Sequence, residues 1–85
     1  MKTVPCEIIT PEKVVLREDA EFIVAPGCEG ELGILPGHTR LLAGLKAGII
    51  RLVKGSETKR FSVTTGLIAI EPAMVRIFSP AVRPL

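Results

Sequence analysis

Eighty-five residues suffice for one small domain and not for two, and a chain of this size buries only roughly 60 to 65% of its unfolded surface. Hydrophobic residues make up 47% of it, yet Phe22, Phe61 and Phe78 are the only aromatics, so a core must be built from branched aliphatics, which suit strands. The net charge of +2 hides an imbalance: residues 1–31 carry seven acids against three bases, and residues 32–85 carry two against eight. That asymmetry invites a charged partner, although strands from the two halves of a sandwich interleave and would mix the charges. The bases are scattered and no aromatic run could stack bases, which speaks against nucleic acid.

From Met1 to Glu7 there is no apolar leader core and an acid comes early, unlike a secretory signal, so a cytosolic or matrix-side location is expected. Apolar residues then recur with a period near two, which predicts an all-β fold. Strands are expected near Val4–Ile9, Lys13–Arg17, Ala20–Ala25, Glu31–Leu35, Leu41–Leu45, Ile49–Lys54, Thr58–Thr64, Leu67–Glu71 and Met74–Ser79. Pro26-Gly27 and Pro36-Gly37 suit type II turns, and Gly55-Ser56 suits a hairpin. Between His38 and Ala47 the leucines Leu41, Leu42 and Leu45 could also form one face of a short helix, against which Gly44 and Gly48 count.

Several of these strands are apolar on both faces: Phe22 and Val24 oppose Ile23 and Ala25, and Leu67 and Ala69 oppose Ile68 and Ile70. One face is core. The other is either ordinary exposed apolar surface or a partner-binding patch. The longest apolar stretch, Leu41 to Val53, is broken by Lys46 and Arg51 and falls short of the roughly 20 residues that span a bilayer, so no direct membrane insertion is expected.

Cys6 and Cys28 form neither a CxxC motif nor a disulfide framework and read as free thiols, and a single histidine makes a zinc site implausible. The densest signal is PGCEGELGILPGHT at residues 26–39. It has neither GxGxxG spacing nor Gly-Lys-Ser/Thr, and its carboxylates would repel a phosphate, so no nucleotide binding and no cofactor are expected. Glu29 and Glu31 as an acid/base pair would need a cleft, and His38 has no nucleophile beside it in the sequence.

The run EGELGILPGHT (Glu29 to Thr39), followed by Leu41-Leu42-Ala43 and by Leu45-Lys46-Ala47-Gly48-Ile49-Ile50-Arg51, resembles the signature stretch of ATP synthase epsilon subunits, called delta in mitochondria. The similarity extends to the PEKVV segment at Pro11 to Val15, to Thr65-Gly66-Leu67 where the family has Gly-Gly, and to Phe78-Ser79-Pro80-Ala81. It implies a flattened two-sheet sandwich or barrel of about ten short strands: a non-catalytic central-stalk piece that links the gamma subunit to the c-ring at the cytoplasmic face of a bacterial inner membrane. It further implies that Glu29, Gly30 and Glu31, with the turn at His38 and with Arg40, face the c-ring, while one sheet face and its edge pack on gamma.

Arg40 stands where many members have proline. The family continues into two C-terminal helices whereas this sequence ends at Arg83-Pro84-Leu85, so no inhibitory arm is expected from it. Two other classes remain in view: a free-standing ligand-binding β module, and a small hydrolase using Glu29, Glu31 and His38.

Overall fold

The computed structural model describes residues 2–85; Met1, where the reading of a leaderless N-terminus begins, lies outside them. The described residues form β1 (Val4–Ile9), β2 (Val14–Ala20), β3 (Phe22–Gly27), β4 (Gly30–Ile34), β5 (Leu41–Leu45), β6 (Gly48–Lys54), β7 (Glu57–Val63), β8 (Gly66–Glu71), β9 (Met74–Phe78) and β10 (Val82–Pro84). Hydrogen bonds link them along the path β10-β7-β6-β3-β5-β8-β9-β1-β2, with β4 on β3. The path folds over where β3 meets β5, a junction with one register pair among the described residues, Gly27 with Leu45. There β5 and β6 behave as one strand that splits: β6 stays between β3 and β7 while β5 leaves for β8. Two five-stranded sheets result, the first β5-β8-β9-β1-β2 and the second β4-β3-β6-β7-β10.

Period-two alternation aims one face of each sheet inward. Val4, Cys6, Ile8, Ile68, Ile70, Val75 and Ile77 from the first sheet meet Ile23, Ala25, Ile34, Ile50, Phe61 and Val63 from the second in one buried cluster. Each fully buried isoleucine contributes about 1.5–3 kcal/mol, so branched aliphatics do supply the core. Away from the fold-over the sheets are stitched by Lys59 to Glu18, 2.5 Å apart, and by the Gly55 N–H donating to the Glu21 carboxylate. At the exit of β9 the buried Ser79 hydroxyl accepts from Thr64 N at 2.9 Å, tying the chain to the turn after β7.

Several boundaries differ from expectation, each for a physical reason. Pro26-Gly27 is not the turn. β3 runs through both residues and Cys28-Glu29 make the turn: a turn at Pro26-Gly27 would be closed by Cys28 N–H on the Ala25 carbonyl, and Cys28 N–H donates to Gly44 O at 3.0 Å instead. Gly27 serves close approach instead, since a Cβ there would meet the Gly30 carbonyl oxygen and Leu32. Ala20 closes β2 and does not open β3. The polar run Arg17 to Asp19 disguised a strand whose inner residues are Leu16, Glu18 and Ala20, with Glu18 at the stitched seam. The leucines of His38 to Ala47 form β5, not a helix, and the added strand β10 is a three-residue edge on β7. Pro36-Gly37 turns as expected, with Gly37 at φ 82° and His38 N–H reaching Leu35 O at 3.2 Å. Gly55-Ser56 is the expected hairpin, with positive φ only at Gly55, which fits a type II′ turn.

Candidate interaction site

The β3–β4 hairpin tip puts Cys28, Glu29 and Gly30 beside β5, across an open groove of about 310 Å³ bounded on the far side by Leu41 to Gly44. Cys28 N–H donates to Gly44 O at 3.0 Å, and the absent Gly44 side chain makes room for the Cys28 thiol. Gly30 has φ 130°, so an L side chain would be strained at the start of β4. Glu31 is exposed and 3.8 Å from Arg51 on β6. Arg40 leads directly into β5 and comes within 4.0 Å of Glu71 at the end of β8. His38 makes a local contact, Nδ1 to Thr39 O at 3.3 Å. The structure sets Glu29, Gly30 and Glu31 across the groove from β5, while Arg40 stands outside the groove's lining, at the entrance to that strand and beside Glu71, and His38 is held by its own turn. Glu31 has Arg51 beside it and His38 its neighbouring carbonyl; among the described residues no hydrogen bond or ion pair links Glu29, Glu31 and His38 to one another.

Sequence reading missed two features of the first sheet's outer face. One is an apolar row: in register, Gly44, Leu67, Phe78, Ile9 and Val14 stand side by side across five strands. Leu67 is 50% exposed, Phe78 39% and Val14 51%. An apolar groove of about 480 Å³ continues this row between Pro11 and Pro80. Gly66 at its edge has no space for a Cβ, which would overlap the Phe78 carbonyl oxygen. The apolar outer residues of β3 are different, for Val24 is 6% exposed and the Phe22 ring packs over Gly33.

The second feature is Glu7, in the next row of the same face. Although only 4% exposed, it points away from the core, so its cover comes from the flanking arginines. Arg17 Nε donates to it at 2.7 Å and Arg76 Nε at 3.1 Å. The Arg17 hydrogen bond, helped by Arg76 and opposed by desolvation, holds its carboxyl below the ordinary value of 4.5. Directly inward, burial and then the charges of Glu7 and Glu18 push the Cys6 thiol up to about 12. Cys28, by contrast, is exposed. Among the described residues no helix is long and apolar enough to cross a membrane.

The sequence family described as "ATP synthase, Delta/Epsilon chain, beta-sandwich domain" matches residues 3–84. The ATP synthase epsilon chain of Pelotomaculum thermopropionicum is 41% identical over 94% of this chain, and that of Desulforamulus reducens 40% over 92%. The chain spans about three-fifths of the length of these relatives, 60% and 59%. Among solved structures, a chain of the Euglena gracilis mitochondrial ATP synthase, in an assembly with the c-ring, superposes with TM-score 0.89 at 21% identity, covering 96% of this chain and 53% of that one. A chain from the Tetrahymena thermophila ATP synthase central stalk and c-ring gives 0.77 at 23%, covering 95% and 66%. At those identities the superpositions establish the fold; with the sequence match over residues 3–84, the chain belongs to the ATP synthase delta/epsilon β-sandwich family.

Proposed function

We propose that this domain is a non-catalytic rotor element of a proton- or sodium-translocating ATP synthase, a peripheral piece at the cytoplasmic face of a bacterial membrane that links gamma to the c-ring. The family match over residues 3–84 carries the reading. In it, the apolar row of Leu67 and Phe78 packs on gamma, because burial of that area suits a lasting contact that salt screens little. Glu29, Gly30, Glu31, His38 and Arg40 make a polar contact with the c-ring loops, where charges govern association rate more than affinity.

The test is size exclusion of the chain with its cognate gamma subunit at micromolar concentration and high salt. Co-elution is expected, and Leu67→Glu with Phe78→Glu should abolish it; separate elution of the unaltered pair defeats the reading and leaves the free-standing binding module in its place. In assembled enzyme, with Cys28→Ser as background, Cys at Glu29 or Glu31 should crosslink to c-ring loops. Crosslinks to gamma alone would move that contact elsewhere.

A further inference from the structure

The outer face of the second sheet carries charge that its own residues leave unanswered. Arg51 and Arg60 face each other across β6 and β7, and Arg83 on β10 stands opposite Ser62, one diagonal step from Arg60. Their neighbours Ile50, Leu52, Phe61 and Val63 are buried, so the three arginines point outward, and all three are exposed. Like charges directly opposite one another destabilise a strand pair. Arg51 has Glu31 at 3.8 Å, but among the described residues Arg60 and Arg83 have no carboxylate within ion-pair distance. Beside them Ile49 is 46% exposed and offers an aliphatic footing.

We propose that this face docks an acidic amphipathic helix of a protein partner, its carboxylates on Arg60 and Arg83 and an aliphatic side chain over Ile49. The reach fits: Arg60 and Arg83 are a diagonal pair about 7–8 Å apart, and Glu residues one turn apart on a helix start about 5–6 Å apart, a difference that the long Arg and Glu side chains span. Guanidinium forks receive carboxylates in bidentate pairs. A lipid surface is the poorer match, since headgroup readers gather roughly four to eight bases and this face has three. Nucleic acid lacks a stacking platform, because Phe22, the aromatic of this face, is occupied over Gly33.

The test is fluorescence anisotropy of the 85-residue chain with a labelled helical peptide bearing Glu at i and i+4 and Leu on the same face. Saturable binding is expected, weakened about fivefold to tenfold by Arg60→Ser with Arg83→Ser. The pair Lys2→Ser with Lys13→Ser removes the same net charge and should leave affinity unchanged, as should be verified with circular dichroism showing all variants folded. Three results overturn the proposal: no saturable binding, equal loss in both double variants, or an Arg60- and Arg83-dependent attachment to phosphatidylserine vesicles by a chain that ignores the peptide.

Discussion

On the outer face of the first sheet each arginine has a carboxylate, Arg17 and Arg76 sharing Glu7 while Arg40 and Arg76 reach Glu71; on the second sheet Arg60 and Arg83 have none among the described residues. The difference follows from topology. β1 and β2 come from the acidic first third of the sequence and insert beside β9 from the basic remainder, so the two charge populations meet and cancel. β6, β7 and β10 all come from the basic part, and the neighbouring β3 and β4 bring them only Glu31. Interleaving therefore mixes charge on one sheet and segregates it on the other. The neutral face is then free to be an apolar contact surface, and the charged one to select a partner by charge.

The largest effect that would break this comparison lies within β8, where inner and outer residues are adjacent. Ile68→Ala should cost about 2–5 kcal/mol, because Ile68 is fully buried and its loss opens a cavity in the core. Leu67→Ala next door is half exposed and should cost less than about 1 kcal/mol in the isolated chain. Urea denaturation of both variants measures it. Equal losses would make the outer row part of the core and remove it as a contact surface.

A second effect follows from titration. Glu7 has its folded pKa held below 4.5, so its contribution to stability is complete above that value and is lost as pH falls through the folded pKa. Lys59, raised above 10.5 by its hydrogen bond to Glu18, contributes fully below 10.5 and loses that contribution as pH rises through the folded value. The melting temperature should be level between about pH 5 and pH 8 and fall on both sides; the alkaline fall begins near 9, where the thiol of Cys6 ionises in the unfolded chain while burial holds its folded value up to about 12. Glu7→Gln should flatten the acid limb and Cys6→Ala with Lys59→Met the alkaline one, whereas Arg60→Ser should change neither. An acid limb unchanged in Glu7→Gln would show that the ion cluster of the first sheet is ornamental.

Alternation alone located most of the strands, because Ile68 and Ile70, or Val75 and Ile77, announce an inner face without help from neighbours. It failed where a chemical cue had two uses. Pro26-Gly27 has turn chemistry, but its glycine is needed for close approach to Gly30 and Leu32 within the hairpin. Glu18-Asp19 looks like a loop because Glu18 faces inward at a seam that Lys59 closes from 41 residues away. The candidate site was legible as a run of residues, yet its geometry was not: that Arg40 reaches Glu71 depends on the pairing of β5 with β8. The apolar row was hidden for the same reason, since Leu67, Phe78, Ile9 and Val14 become neighbours only once the register of four strands is known.

The smallest effect has the sharpest sign. Arg60 faces Arg51 directly, and Thr favours strands, so Arg60→Thr removes a like-charge pair at an exposed position where no carboxylate is orphaned. It should raise the isolated chain's stability by a few tenths of a kcal/mol. The matched change on the other sheet, Arg76→Thr, strips a donor from Glu7, which is nearly covered, and should lower stability. Both variants lose one positive charge, so net charge cannot account for shifts of opposite sign. Urea midpoints of the pair, measured at neutral pH, should therefore move in opposite directions, and 0.5 M salt should shrink the Arg60→Thr gain because those two arginines are exposed. Midpoints moving the same way would mean that the two outer faces handle charge alike, and the unanswered arginines of the second sheet would lose their distinction.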